Sequence, residues 1–233
     1  MAEKKYDVIV IGELNVDLIL NKIDSFPEIG KEKLARDMSL VLGSSSAILA
    51  SNLSSLGTKV GFIGKIGNDI FGELTLNSLA SKKVDTSLII KSDQYRTGAT
   101  IVMSFGNDRA NITYPGAMEE LTCLDIKDEI LLQARHLHFS SYFLQPGMQE
   151  GFINLMARAK KLGLTTSMDP QWDPSEEWDI DLASLLPFID FFLPNVSEFT
   201  AITKTKNLGE GFKKIDSKNT LIIKMGTEGV CLF

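Results

Sequence analysis

The feature that most constrains the fold is an alternation of short apolar runs with longer amphipathic segments. Six runs have the length and the β-branched or aromatic content of strands, at 7–12, 60–64, 136–141, 164–170, 188–194 and 220–226. The intervening segments predict helices at about 45–56, 69–82, 147–162, 178–186, 196–203 and 208–216. Near-continuous apolar strands that alternate with helices are typical of an α/β fold with a mostly parallel sheet covered on both faces.

Two segments break this alternation. Residues 99–117 read as two alternating strands around a Gly-Asn-Asp turn, which predicts a hairpin. Residues 17–42 contain Pro27 and Gly30 and then a second candidate for one or two strands. Both segments therefore predict a small β appendage outside the parallel sheet.

Composition places the chain among water-soluble proteins of a reducing compartment. The net charge of -6 and the pI near 5.1 argue against a nucleic-acid binder, which would normally carry a basic patch. The apolar run at 8–11 is too short for a signal peptide, and no run is long enough to span a membrane. The two cysteines are far apart and lack metal-ligand spacing, which favours free thiols and a cytoplasmic protein without a membrane partner.

Polar residues gather where the six predicted strands end. The strands are followed by GELNVD, GKIGND, SSYF, DPQWD, PNVSE and KMGTEG. Loops are generally rich in Gly, Asn and Asp, so any single one of these segments has an ordinary explanation. Ligands of open parallel sheets bind beyond the carboxyl ends of the strands, and six polar ends together favour one shared pocket there.

Several familiar motifs are absent. No Walker A sequence, no GxGxxG after the first strand and no GxSxG nucleophile elbow occurs. His136 and His138 share one face of a strand without an acidic or cysteine partner at metal spacing, which favours packing within the sheet over metal binding.

The segment GSSSAI at 43–48 predicts the start of a helix. Ser44, Ser45 or Ser46 can cap it. Free backbone N–H groups at such an end attract polar ligand atoms, so the structural interpretation does not exclude a binding role. A serine nucleophile is not supported, because no base is evident nearby.

These motifs, in this order, make the sequence resemble the PfkB or ribokinase-like carbohydrate kinases over nearly its whole length. GELNVD is similar to their G-x-x-N-x-D, GKIGNDIFG to their G-x-D-x-x-G turn at Gly67, Asp69 and Gly72, and RTGATIV with YPGA to their lid hairpin. PNVSE is similar to N-x-x-E, and KMGTEG to the K-x-G-x-x-G that opens the nucleotide site. The resemblance implies a ribokinase-like three-layer α/β/α domain over 1–233, with β-lid segments at about 17–42 and 97–115.

The resemblance also implies roles for particular residues. The acceptor sugar is expected at Asn15, Asp17, Gly43, Ser44 and Ser45. ATP is expected near Asn195, Glu198, Lys224, Gly226 and Gly229, and Glu198 would hold Mg²⁺ indirectly, through water. Arg96 and Arg109, on or beside the lid hairpin, are candidates to recognise a carboxylate or phosphate on the substrate, with solvated surface arginine as the alternative.

Two departures from the family pattern shape the expectation. Ser44 and Ile48 stand where the family has glycine and a sugar-binding asparagine, which suggests a substitute contact or a substrate other than ribose. The family's catalytic G-A-G-D stretch lies downstream of the last predicted strand, so its aspartate base is expected beyond Phe233 and no catalytic residue is assigned here. The 233-residue chain, which stops at GVCLF inside an apparent strand, is therefore expected to lack further elements and to have little or no kinase activity alone.

The resulting hypothesis is an ATP-dependent kinase that transfers the γ-phosphoryl group to a hydroxyl of a sugar or sugar-like alcohol, with Mg²⁺ and without nucleic acid. A non-catalytic sugar-binding or regulatory module and a nucleoside or vitamin kinase of the same fold are the alternatives. Members of the family commonly pair through the lid, so a homodimer through the β-lid is possible.

Overall fold

The computed structural model of the chain describes residues 4–106, 108–215 and 220–233. Strands run through all three ranges and are numbered in chain order. They are β1 (Tyr6–Ile11), β2 (Asn15–Asn21), β3 (Asp37–Leu42), β4 (Val60–Ile63), β5 (Lys65–Gly67), β6 (Ile90–Ser92), β7 (Gly98–Phe105), β8 (Asp108–Tyr114), β9 (Ala134–Ser140), β10 (Thr165–Asp169), β11 (Phe191–Phe192), β12 (Thr220–Lys224) and β13 (Val230–Leu232).

Seven of these strands form the central sheet. Their order is β4-β1-β9-β10-β11-β12-β13, and all neighbours are parallel except β12 and β13. This confirms the α/β class and the mostly parallel sheet. The carboxyl ends of β1, β9, β10, β11 and β12 consequently lie along one edge of the sheet.

Helices connect the strands and cover the central sheet. They are α1 (Ser45–Ser55), α2 (Ile70–Ser81), α3 (Asp128–Leu131), α4 (Pro146–Gln149), α5 (Phe152–Lys161), α6 (Leu182–Leu185), α7 (Val196–Thr203) and α8 (Leu208–Lys214). Alternate residues of β1 belong to two separate buried clusters, since Ile9 packs with residues of α5 and Val10 packs with residues of α1 and α2. Two cores on opposite faces of one sheet are the three-layer arrangement.

Four strands form a second, smaller sheet in the order β3-β2-β7-β8. Strand β2 pairs with β3 in antiparallel and with β7 in parallel orientation, and β7 and β8 form the expected hairpin, whose Asn107 lies outside the described residues. One face carries Asn15, Asp17, Thr100 and Thr113, whereas the twelve positions in register on the other are all apolar. They are Val16, Leu18, Leu20, Met38, Leu40, Leu42, Ala99, Ile101, Met103, Ala110, Ile112 and Tyr114.

The helix predicted at 147–162 is two helices. Helix α4 ends at Gln149, and Gly151 at φ 81 begins a change of direction before α5. Glycine reaches this left-handed conformation without the steric cost that a Cβ would add. The apolar periodicity runs across the break, so only the glycine itself signals it.

Two further elements are shorter than predicted. The helix predicted at 178–186 is only α6, because Trp178 takes a positive φ of 54 and Asp181 caps a later start. The strand predicted at 188–194 is only β11, since Pro187 lies in a 3-10 turn just before it and Pro194 follows it.

Short strands β5 and β6, which pair with each other, were not predicted. The predicted helix 208–216 is α8, and its last predicted residue, Asp216, lies outside the described residues.

Both cysteines are free, as expected from the sequence, and Cys123 is buried. In the described part of the chain, none of the helices combines the length and apolarity needed to cross a membrane.

Candidate functional site

The predicted acceptor residues Asn15, Asp17 and Gly43 lie together where the small sheet meets the end of β1. The Asn15 side chain is buried and donates through Nδ2 to Asp17 Oδ1 at 3.0 Å and to Thr100 Oγ1 at 2.8 Å. Burial raises the pKa of Asp17, an effect that Glu13 reinforces and that the Asn15 hydrogen bond and the charge of Arg109 oppose. The arrangement presents a hydrogen-bond acceptor whose position is set by Asn15.

Gly43 is where the backbone closes against this pair. A Cβ at this position would come within 2.3 Å of Asp17 Oδ1 and 2.8 Å of Asn15 Nδ2. The Gly43 N–H also donates to the Asn15 carbonyl at 3.0 Å. A side chain at position 43 would therefore displace both polar groups, which explains glycine there.

Ser44 caps helix α1, one of the three possibilities that the sequence left open. Its Oγ accepts from the Ala47 N–H at 2.9 Å and donates to the Glu13 carbonyl at 2.6 Å. Its backbone has φ 70, a region that favours glycine. Ser44 thus adopts a backbone conformation that glycine reaches more easily, and its hydroxyl is occupied within the protein.

Glu13 is a buried carboxylate that the sequence analysis did not single out. Its oxygens accept from the Ser45 hydroxyl at 2.8 Å, from the Ser46 hydroxyl and from the Ser46 N–H at 3.3 Å. The Ser45 hydroxyl also lies 3.2 Å from the hydroxyl of Ser141. The Glu13 carboxylate therefore already occupies the N-terminus of α1, the positive end of the helix dipole. The sequence does not show this contact, because Glu13 and α1 are brought together only by the tertiary fold.

Asn195 and Glu198, predicted near the nucleotide, form a reciprocal cap at the start of α7. The Asn195 N–H and side-chain amide donate to the two oxygens of Glu198 at 2.8 and 2.7 Å, and Glu198 N–H donates back to Asn195 Oδ1 at 2.9 Å. Glu198 is buried. The same spacing recurs at Asn207 and Glu210 on α8, where Glu210 is exposed and makes similar bonds.

Lys224 and Asp169 lie beside this cap. Lys224 Nζ donates to Asp169 Oδ2 at 2.5 Å, and the other oxygen, Oδ1, is buried without a hydrogen-bond partner among the described residues. Burial raises the pKa of Glu198 and Asp169 adds to the rise, whereas the Asn195 backbone bond and the charge of Lys224 lower it. Two carboxylates and one ammonium group thus gather at the ends of β10, α7 and β12, although sequence analysis named only part of this group.

The oxygen chemistry of this cluster suits Mg²⁺ held through water. Mg²⁺ prefers carboxylate oxygens and keeps several of its waters, and the unpartnered Asp169 Oδ1 is a free acceptor of this kind. Across residues 4–106, 108–215 and 220–233, no group of three or more His, Cys, Asp and Glu side chains is arranged to hold a metal directly.

Gly226 and Gly229 lie in the turn between β12 and β13. Both have positive φ, 59 and 94, and the Met225 N–H donates to the Gly229 carbonyl at 2.8 Å. This turn follows Lys224 directly, so three of the five residues that the sequence assigned to the nucleotide lie together at the end of β12.

Asp69 supports the fold through its hydrogen bonds with other described residues. Asp69 caps α2 by accepting from the Gly72 N–H at 2.9 Å and accepts from the Thr97 N–H at 2.8 Å. Burial alone would raise the pKa of Asp69, but these hydrogen bonds lower it overall. Arg96 and Arg109 are exposed side chains near the small sheet.

A cleft of about 800 Å³ opens between the polar face of β8 and the loops that follow β9 and β10. A chain of hydrogen bonds joins it to the acceptor residues, because Asn15 donates to Thr100 and the Thr100 hydroxyl lies 3.0 Å from that of Thr113, a residue of the cleft wall. The cleft wall is thus linked to Asn15 through these hydrogen bonds, whereas Asn15 and Asp17 themselves are not among the described residues that line the cleft.

His136 and His138 pack within the sheet, as the sequence favoured. His138 Nδ1 and His136 Nε2 each lie 2.7 Å from the Ser167 hydroxyl on the neighbouring strand. Burial, together with the charges of His136 and Lys224, lowers the pKa of His138 to about 3.

This buried histidine is expected to make the protein acid-sensitive. An unfolded histidine titrates near 6.5, so the stability that neutral His138 contributes is complete above that pH and is lost as the pH falls toward 3. Between pH 6.5 and 4.5 the loss should be about 2 to 3 kcal/mol. The measurement is urea unfolding at both pH values for the native protein and His138→Asn, whose free energy of unfolding should fall less. Equal losses in the two proteins would contradict the assignment.

The chain is similar to known proteins both in sequence and in structure. A family model described as "pfkB family carbohydrate kinase" matches residues 5–233. Among solved structures, the Arabidopsis thaliana ribokinase complexed with ribose and ATP superposes with a TM-score of 0.80 at 21% identity, covering 98% of this chain and 74% of that one. The fructokinase of Halothermothrix orenii gives a TM-score of 0.81 at 23% identity, covering 97% and 82%. At these identities the likeness establishes the fold.

Curated relatives are also sugar kinases. A 5-dehydro-2-deoxygluconokinase of Mesomycoplasma hyopneumoniae is 27% identical over 78% of this chain and 54% of its own length. A 2-dehydro-3-deoxygluconokinase of Bacillus subtilis is 27% identical over 97% of this chain and 72% of its own length. The match thus spans about half of the first relative.

Proposed function

The chain belongs to the pfkB family of carbohydrate kinases, and from that membership we propose that its full-length gene product transfers the γ-phosphoryl group of ATP to a hydroxyl of a sugar or sugar-like alcohol. The observation that carries the proposal is the convergence of two polar clusters on one edge of the central sheet. Asn15, Asp17 and Gly43 lie beyond β1, Asp169 and Lys224 end β10 and β12, and Glu198 lies in the first turn of α7.

The acceptor side supplies orientation. Asp17 has a free capacity to accept from acceptor hydroxyls, and its carboxylate is held by Asn15. The backbone at Gly43–Ser45 borders the same space, while the hydroxyls of Ser44 and Ser45 are engaged with Glu13. Holding a reacting hydroxyl in place is a large part of catalysis of phosphoryl transfer, because the transition state needs mainly positioning and charge stabilisation.

The nucleotide side supplies charge. Lys224 would supply an ammonium group to phosphate oxygens, and the turn that follows has no side chain at Gly226 and Gly229. Glu198 and Asp169 would hold Mg²⁺ through water, and the ion would supply charge neutralisation on the phosphates when bound. Four strand spacings separate β1 from β12, about 19 Å, a span that an acceptor and a nucleotide could fill in sequence.

The experiment is a coupled assay of ADP formation by the full-length gene product, with ATP, Mg²⁺ and a panel of neutral sugars, amino sugars, sugar acids and nucleosides. Acceptor-dependent ADP release supports the proposal. Acceptor binding by calorimetry without ADP release from any acceptor would contradict it and favour a binding module. A cytoplasmic location is proposed with it, and fractionation of the native cells tests that.

We propose, in addition, that the protein forms a homodimer through the small sheet. Its apolar face leaves Met38, Leu40, Ile101, Ile112 and Tyr114 exposed, and exposed contiguous apolar patches of this kind mark interaction surfaces. The face is continuous across all four strands, and a second copy would present a matching one.

Ile112→Glu is expected to separate the two copies. Ile112 is 60% exposed and lies on the edge strand β8, at the end of the apolar row formed with Leu40, Leu18 and Ile101, so a charge there would be buried in a dimer. Analytical ultracentrifugation should show at least a hundredfold weaker association. The matched control, Leu124→Glu, alters a side chain that is 81% exposed away from the sheet and should leave association unchanged. A native protein that stays monomeric at high concentration would refute the dimer.

A further inference from the structure

The cleft beside the acceptor residues is lined by several carboxylates. The fifteen described residues that line it include Glu119, Asp173, Glu177 and Asp179, and none of these fifteen is a lysine, arginine or histidine. Resting on the proposed kinase function, we propose that the cleft selects an uncharged or amino-bearing acceptor and discriminates against sugar acids and sugar phosphates.

The carboxylates are of two kinds. Asp173 is buried and shapes its own loop, because it accepts from the Ser175 N–H at 2.9 Å and the Trp178 N–H at 2.7 Å. Glu119, Glu177 and Asp179 are exposed on the cleft wall, and their carboxylates accept no hydrogen bond from any described residue. Their charges therefore face whatever enters the cleft.

The wall also has an aromatic side that suits the carbon face of a polyol or an ammonium group. Trp172 lies in the lining and meets Trp178 edge to face at 5.0 Å, and Trp178 in turn meets Phe143 at 5.5 Å. Because Trp178 is buried and bound by Asp173, the half-exposed Trp172 is held in place. Tryptophan is the best aromatic partner for a cation, and carboxylates nearby strengthen that preference.

A second, independent observation points the same way. The N-terminus of α1, the helix end nearest the acceptor residues, is the natural place for an anionic group of a ligand. Glu13 already occupies it through Ser45 and Ser46. An anionic acceptor would meet a carboxylate there as well as in the cleft.

The positive charge of Arg109 does not offset the negative charge of the carboxylates in the cleft. It lies on the same face of β8 as Asn111, but its charge acts on Asp17, where it lowers the pKa of that carboxyl against the effect of burial. The sequence-based idea that Arg96 or Arg109 recognises an anionic group is thus opposed by the carboxylates of the cleft itself.

The test compares matched six-carbon acceptors, glucose, glucosamine and gluconate, in the full-length protein. The native protein should prefer the neutral or amino compound over gluconate by at least about tenfold in kcat/KM. The double variant Glu177→Gln and Asp179→Asn should reduce that preference about fivefold, and added salt should reduce it too. Glu176→Gln, a change of the same kind on the same loop outside the lining, should leave it unchanged.

Calorimetric binding of the same three compounds separates this inference from the kinase assignment. If no compound is phosphorylated but glucose or glucosamine binds tighter than gluconate, the cleft inference stands and the kinase function fails. Equal or tighter binding of gluconate, or a preference untouched by the double variant, would overturn the inference.

Discussion

Asp17→Ala is expected to raise the KM for the acceptor about tenfold to a hundredfold in the full-length protein. The carboxylate is held by Asn15 and faces the acceptor space, and a charge-assisted hydrogen bond contributes roughly 1.5 to 3 kcal/mol. Steady-state kinetics with saturating ATP measure the change. The ATP KM should stay within about twofold, because Asp17 lies on the small sheet and away from Lys224.

The control for Asp17→Ala is Asp37→Ala, which changes an exposed aspartate at the far end of the same sheet and should leave the acceptor KM unchanged.

The affinity for the acceptor is also expected to depend on pH through Asp17. Its pKa is raised, chiefly by burial, so acceptor affinity that depends on the ionised carboxylate should be complete well above that pKa and fall as the pH drops through it. Asp17→Asn should remove this limb of the profile. Unchanged acceptor KM in both variants would remove Asp17 from the site.

Glu198→Gln is expected to lower kcat about a hundredfold, with a smaller change in acceptor KM. Loss of one preorganised charge at a phosphoryl-transfer site costs this much in comparable cases. The variant retains the shape and can still accept from Asn195, so the fold of α7 should persist. Kinetics over a range of Mg²⁺ concentration should show a higher half-saturating concentration.

Glu210→Gln is the matched control. Asn207 and Glu210 reproduce two of the three hydrogen bonds of Asn195 and Glu198 at the start of α8, in an exposed position, and there the Lys206 N–H donates to Glu210 in place of the cap residue's own N–H. It should alter stability slightly and leave kcat unchanged. Equal loss of kcat and of acceptor binding in Glu198→Gln would show that this carboxylate supports the fold and not the nucleotide side.

The sequence predicted the architecture well because the apolar runs mark the strands of the central sheet. Strands β1, β9, β10 and β12 are near their predicted bounds, and the polar segments that follow them meet at one edge, as parallel strands require. The helix at 147–162 was wrong because apolar periodicity continues through Gly151, and only the backbone reversal there ends α4.

The site was harder to predict because burial, which no local pattern reports, decides it. Asn195-x-x-Glu198 and Asn207-x-x-Glu210 look alike in sequence, and only the first has a buried glutamate beside Lys224. Glu13 follows β1 and Asp169 ends β10, so both look like ordinary carboxylates at strand ends. Their roles depend on Ser45, Ser46 and Lys224, residues from distant parts of the chain.

The two-faced small sheet restricts how the sequence can change in length. The side chains of neighbouring residues on a strand point to opposite faces of the sheet. Asp17 and Leu18 therefore lie on different faces, and so do Thr100 and Ile101. Inserting or deleting one residue within β2 or β7 would exchange the faces, turning acceptor side chains outward and apolar ones into the cleft. Length variation is therefore tolerable in the connection at 22–36, whereas the strands themselves accept substitution but not a change of register.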